Sequence, residues 1–298
     1  MIDSATLRTF LAVVEEGGFS RASTILGRTQ PAVSLAVRRL EEELGEVLID
    51  RSSRELLLTD SGRLILEFGR RFHNLDREMK RALQELRNLS AGRLLIGANE
   101  SSTLYLLQHL TGFRARFPKV RVQIQRSHSS EIPAQLLSGD LELGVISYEP
   151  NLADLAVRVI YIDHLAFVVS PQHRLANKAS VSIEELGTET FIAHNVVSPY
   201  RRTVLERFQR HRVPLNMDVE MPTVESIRRL VQRNEGVAFL PRMCVDQEIQ
   251  AGSLREVAVP QMRLERRIRM VYSRKRKLSR AAVAFLELLG ETTPAVDA

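Results

Sequence analysis

Residues 20–45 read SRASTILGRTQPAVSLAVRRLEEELG. Two short segments carry apolar residues on a helical period, Gly27-Arg28-Thr29-Gln30 splits them, and Pro31 opens the second. A helix of barely two turns, broken and restarted at once, is either a packing hairpin or a device that presents the second helix to something else. In the first segment Ser20 is placed as a cap, with Ala22, Ile25 and Leu26 along one side. In the second, Thr29 or Gln30 caps and Pro31 sits in the first turn, where its missing N–H costs nothing. Val33, Val37, Leu40 and Leu44 form its buried stripe, and Gly45 stops it. The opposite face shows Gln30, Ser34, Leu35 and Arg38. Upstream, Leu7, Phe10, Leu11 and Val14 give an amphipathic helix over 3–16, closed by Gly17-Gly18.

These dimensions are those of a helix-turn-helix, whose last helix enters the major groove with its early residues at the base edges. Gln30 suits adenine, Arg38 suits guanine, and Ser34 suits bases or phosphates. Ser20, Arg28, Thr29 and Pro31 are expected beside them around the turn. VLIDRSSRELLLTDSG (47–62) then reads as two short strands around Ser52-Ser53-Arg54, placing Arg51 and Arg54 along the DNA backbone as positioning contacts. Thr59 caps the next helix, where Ile65, Phe68, Phe72, Leu75, Met79, Ala82, Leu86 and Leu89 alternate at spacings of three and four. That heptad seam predicts a dimerisation helix; packing against its own domain is the alternative.

Charge does not decide the function. The chain of 298 residues has a net charge of +6, yet residues 1–90 hold 14 Lys+Arg and 14 Asp+Glu. The excess lies downstream, much of it in MRLERRIRMVYSRKRKLSR (262–280), which reads as a solvated strand and helix edge. Cys244 is the only cysteine, which excludes an internal disulfide and a multi-cysteine zinc site. No apolar run approaches the roughly 18 residues of a membrane span, and MIDSATLRTF is not a secretory signal, so a cytoplasmic location is expected.

Ser90-Ala91-Gly92 breaks the seam helix, and strands then alternate with helices. Strands are predicted at 94–98, 120–125, 141–147 and 164–170, with helices at 104–117 and 131–137 between the first three. A second set follows: strand 190–194, helix 200–212, strand 217–221, helix 224–233 and strand 236–241. This is a two-lobed α/β pattern with parallel sheets, to whose first lobe strand 267–273 and helix 279–290 return. The predicted organisation is a DNA-binding domain at 1–58, a linker helix at 59–90 and an effector-binding domain at 91–298. Its lobes are 91–162 with 266–298, and 163–265.

FSRASTILGRTQPAVSLAVRRLEEELGEVLIDRSSRELLLTDSG resembles the N-terminal winged helix-turn-helix of LysR-type transcriptional regulators. Gln30-Pro31-Ala32-Val33-Ser34, Leu40-Glu41, Leu44-Gly45, Arg51 and Leu58-Thr59 with Gly62 follow the family pattern; Ala22-Ser23 stands where the family has Ala-Ala. Asn234-Glu235-Gly236-Val237-Ala238-Phe239-Leu240-Pro241 and the lobe order resemble the family's co-inducer domain, so the resemblance spans the whole chain. It implies a periplasmic-binding-protein-like sensor, a small effector between its lobes, and a tetramer built as a dimer of dimers.

Ligands of open α/β sheets bind beyond the carboxyl ends of strands, at helix starts. Such turns hold Asn99-Glu100-Ser101-Ser102-Thr103, Ser127-His128-Ser129-Ser130, Asn195 through Tyr200-Arg201, and Thr223; helix capping is the plain alternative for each. The resemblance implies Ser101 and Ser129 as effector contacts and Ser147 as a weaker one. The candidate set is therefore Ser101, Ser102, Ser129, Ser147, Asn195, Arg201 and Thr223, suited to a carboxylate or other anion. No dinucleotide, phosphate-loop, zinc-protease or serine-hydrolase motif occurs, and the seven histidines include no close pair at metal-ligand spacing. The chain is therefore expected to be no enzyme and to carry no metal or cofactor. Double-stranded DNA, a small effector and further copies of itself are the expected partners.

Overall fold

The computed structural model describes residues 3–50, 56–87, 92–196 and 198–292, and the chain divides into two compact units. In the first, α1 (Ser4–Glu15), α2 (Phe19–Leu26) and α3 (Gln30–Leu44) enclose a core of Leu7, Phe10, Leu11, Val13, Ala22, Val33, Val37 and Leu40. Asp3 caps α1 through the N–H of Ala5. Ser20 is not a cap. Helix α2 begins earlier, at Phe19, because Gly18 stands at the cap and its carbonyl accepts from Ala22. The break after α2 is made by Gly27 at φ 61°, a left-handed backbone that a side chain would disfavour.

Strands β1 (Ile49–Asp50) and β2 (Leu57–Leu58) pair antiparallel as a short wing. The wing tip with Arg51 and Arg54 lies outside the described residues. Thr59 caps α4 (Asp60–Arg87) as expected: its Oγ1 accepts from the Gly62 N–H and donates to the Val47 carbonyl. Gly62 is required there, since a Cβ would run into the Leu48 carbonyl oxygen. The seam divides. Ile65 packs against the trihelical core, whereas Phe68, Phe72, Leu75 and Met79 remain 54, 52, 62 and 55% exposed among the described residues. Leu83, outside the predicted seam, is exposed too; the side chains of Ala82, Leu86 and Leu89 lie outside the described residues.

The second unit is built on a seven-stranded sheet. Strands β3 (Arg93–Ala98), β4 (Arg121–Arg126) and β5 (Leu143–Ile146) are mutually parallel, joined through α5 (Glu100–Arg116) and α6 (Ile132–Ser138). The expectation of parallel sheets does not hold for the long strands beside them. β6 (Leu155–Val169) is one 15-residue strand rather than the predicted 164–170, and β11 (Glu265–Ser273) runs antiparallel to it and to β5. The first half of β6 interrupts the apolar run with Arg158 and Tyr161, which are exposed, and with Asp163, which is buried opposite Arg266 of β11.

The first lobe packs Leu94, Ile96, Leu106, Phe113 and Met270 against Phe285 and Leu289 of α10 (Arg280–Thr292). Each such fully buried side chain contributes roughly 1.5–3 kcal/mol. The outer half of β6 carries the second lobe. There β9 (Ala238–Pro241) and β10 (Arg255–Glu256) pair with it antiparallel, while β7 (Thr190–His194) and β8 (Asn216–Met221) form a separate parallel pair. Helices α7 (Pro199–Arg210), α8 (Val224–Gln232) and α9 (Asp246–Gln250) complete the lobe. Its aromatic core is Phe167, Phe191, Phe208 and Phe239, with Phe191 and Phe239 stacked at 5.7 Å.

Candidate functional site

The outward face of the first unit is formed by the turn and the start of α3. Ser20, Arg28, Thr29, Gln30, Pro31 and Arg38 are exposed, and Ser34 is half-buried. Among the described residues no hydrogen bond or ion pair engages the side chains of Arg28, Gln30, Ser34 or Arg38. Leu35, on the same face, is half exposed. The buried stripe of Val33, Val37 and Leu40 fixes the rotation of α3, and so determines which side chains project. Such a face offers amide, hydroxyl and guanidinium groups to base edges, and an apolar side chain to a thymine methyl.

In the second unit a cavity of about 780 Å³ lies between the lobes. Its first-lobe wall comes from the turns after β3, β4 and β5, where Asn99, Ser101, Ser129 and Tyr148 are bonded to one another. Asn99 caps α5 by accepting from the Ser102 N–H at 2.8 Å, receives the Ser101 hydroxyl at 3.1 Å and donates to Ser129 Oγ at 2.8 Å. Tyr148 donates to the Ser129 carbonyl at 3.0 Å. Burial pushes the Tyr148 phenol up from its ordinary value.

Beside the cavity, hydrogen bonds cross from lobe to lobe. Tyr200 of α7 donates to the Ser147 carbonyl at 2.6 Å. Glu100, the first residue of α5, accepts from the Val224 N–H at the start of α8 at 3.0 Å, with its second oxygen 3.6 Å from His194 Nε2. A carboxylate at a helix start is favoured by the backbone dipole, so Glu100 acts as an internal anion joining the lobes.

At the strand crossing, Arg266 and Asp163 sit opposite each other on β11 and β6 as a buried pair at 2.7 Å. Asp163 also accepts from the Met243 N–H at 3.2 Å. Burial raises the Asp163 carboxyl above its ordinary value, outweighing the opposite pull of Arg266. The Arg266 guanidinium lies 4.9 Å from the centre of the Tyr200 ring, and both line the cavity. Burial likewise raises the Tyr200 phenol.

Of the predicted effector contacts, Ser101, Ser129, Ser147 and Arg201 line the cavity. Arg201 is committed to Glu220 and to the His194 carbonyl at 2.7 Å. Three do not line it. Ser102 is fully buried beneath the Asn99 cap, Asn195 is exposed outside the cavity, and Thr223 is spent capping α8 through Ser226. Side chains at a helix start cap it or face a ligand, and at Thr223 the cap won. The sequence reading gave no role to Glu100, Ser127, His194 or Tyr200, although all stood in or beside the strand-to-helix turns, and it took Arg266 as part of a solvated strand edge, whereas its pairing with Asp163 buries it. Cys244 is buried and its thiol is pushed up to about 12 by desolvation, so it packs rather than reacts.

A family model described as "LysR substrate binding domain" matches residues 87–294, and one described as "Bacterial regulatory helix-turn-helix protein, lysR family" matches 5–63. A "Probable RuBisCO transcriptional regulator" of Cyanidium caldarium is 32% identical over 292 residues, covering 95% of this chain and 92% of its own. A protein of the same description from Synechocystis sp. is 31% identical over 300 residues, covering 98% and 87%. The crystal structure of CbnR, a LysR family transcriptional regulator, shares the fold with a TM-score of 0.74 at 17% identity, over 98% of this chain and 100% of that one. The regulatory domain of Synechocystis CcmR, solved in complex with 2-PG, has a TM-score of 0.62 at 22% identity, over 70% of this chain and 100% of its own. With both family models matched in order, the chain belongs to the LysR family of helix-turn-helix transcriptional regulators.

Proposed function

We propose that α3 of this regulator reads an operator in the major groove while the interlobe cleft binds a small effector that alters the DNA-bound state. The observation that carries the reading is the outward face of α3, where the side chains of Gln30, Ser34 and Arg38 have no partner among the described residues. The exposed stripe Phe68-Phe72-Leu75-Met79 supports pairing of two copies, and two such dimers would form the tetramer. An effector changes DNA binding only by preferring one lobe arrangement, and the Glu100 and Tyr200 bridges are contacts whose making or breaking supplies that preference. We read the chain as a binder rather than a catalyst: its one thiol is buried, and His173 and His194 face carboxylates. A cytoplasmic location, beside the DNA, follows from this reading; among the described residues no helix is long and apolar enough to cross a membrane.

Footprinting the full-length protein on its own upstream region tests the DNA assignment, and the upstream region of RuBisCO genes is the second DNA to try, given the relatives' names. Protection of two half-sites is expected, and its absence on any sequence would sink the assignment. Phe72→Asp places a charge in the seam, where burial without a partner is strongly unfavourable. Light scattering should then report a smaller assembly with weaker operator binding. An unaltered mass would remove the seam from the interface.

A further inference from the structure

Leu35 is the one large apolar side chain that α3 leaves exposed, at 50%. A single exposed leucine is ordinary on a protein surface, but this one has an unusual place. At about 100° per residue, it points about 170° away from the middle of the Val33-Val37-Leu40 stripe, straight out of the trihelical core. Its outward neighbours over the next two turns are Arg38, Arg39 and Glu42, all exposed and charged. The helix itself needs no leucine there: lysine, arginine or glutamine holds the same turn about as well and meets water at less cost. The leucine is therefore explained by what the face meets rather than by what the fold requires. In a major groove the base edges carry hydrogen-bonding groups and one apolar group, the thymine 5-methyl. A leucine set against any other base edge covers donors or acceptors that it cannot satisfy, and that loss counts against binding.

Building on the reading of α3 given above, we propose that Leu35 is a specificity-determining residue that covers a thymine methyl in each half-site. It selects thymine in two ways. The methyl leaves water against the leucine side chain, which strengthens binding about fourfold for each half-site. Cytosine at the same place brings no methyl and leaves its amino group covered without an acceptor. Arg38, one turn further on, supplies the hydrogen-bonding half of the reading, so the two side chains discriminate by different physics.

The test uses DNA duplexes selected from a random pool by the full-length protein. Each thymine is replaced singly by deoxyuridine, which removes the methyl and leaves every hydrogen-bonding group in place. One thymine per half-site is expected at which this change weakens wild-type binding about fourfold. Leu35→Ser should bind the thymine and uracil duplexes alike, and Leu35→Met, which keeps an apolar end, should restore the preference. Melting curves of both variants should match the wild type, since the position lies outside the core. Uracil sensitivity that persists in Leu35→Ser would give the methyl to another residue and overturn the inference, with α3 still the reading helix. A wild type indifferent to uracil at every thymine would overturn it in the same way. If no duplex is enriched from the pool, the DNA reading itself falls, and this inference with it.

Discussion

The outward face of α3 and the polar wall of the cleft carry similar chemistry, amides and hydroxyls beside a guanidinium, but hold it differently. The side chains of Gln30, Ser34 and Arg38 make no bond among the described residues, and water can serve them until a partner replaces it. Asn99, Ser101, Ser129 and Tyr200 are partly or largely enclosed, and each is already bonded to a neighbour. A polar group shut away from water costs about 1–3 kcal/mol if left unpaired, so these enclosed groups bond to one another when the cleft is empty. Binding at the first face therefore adds contacts, whereas binding in the second exchanges them. An exchange between lobes is what a switch requires.

The comparison is broken most severely at the strand crossing. Asp163→Ala leaves the Arg266 guanidinium and the Met243 N–H without their acceptor in a buried site, which should cost about 3–5 kcal/mol of sensor stability. Calorimetric melting should show the sensor transition falling; a loss below about 1 kcal/mol would mean that water reaches the pair. Arg38→Ala makes the opposite test. It should cost about 1–3 kcal/mol of operator affinity and leave melting within about 0.5 kcal/mol, since the exposed Arg38 side chain has no bond among the described residues. Affinity at the wild-type level would remove Arg38 from base reading. The smallest effect is expected at Thr223→Ala, about 1 kcal/mol of stability through the lost α8 cap, with effector affinity unchanged. A weakened effector with normal melting would restore Thr223 to the site.

The helix-turn-helix was legible because its signals are local. Apolar positions three and four apart place Val33, Val37 and Leu40 inward and hence Gln30 and Arg38 outward. The exception was Ser20, where a good capping residue lies one position inside a helix already begun from Gly18. The cleft was legible only in part. Strand-to-helix turns marked Ser101 and Ser129, but the same residue types serve as caps, and sequence alone does not separate Thr223, which caps, from Ser127, which lines the cavity. The early half of β6 was missed because a strand interrupted by Arg158 and Asp163 shows no period until its partner β11 is known.

By itself the sequence determined the trihelical unit, the rotation of α3, the apolar seam through Met79 and the succession of strands and helices in the sensor. Each depends on a period of two to about four residues, the range over which neighbouring side chains share a face. Tertiary structure decided the antiparallel pairing of β6 with β11, the Arg266–Asp163 pair 103 residues apart and the Glu100–Val224 bridge 124 residues apart. It also decided which hydroxyls cap and which face the cavity. No period spans those separations: such contacts arise from how two lobes close on one another, and the burial that makes a serine a cap or a donor exists only once they have closed.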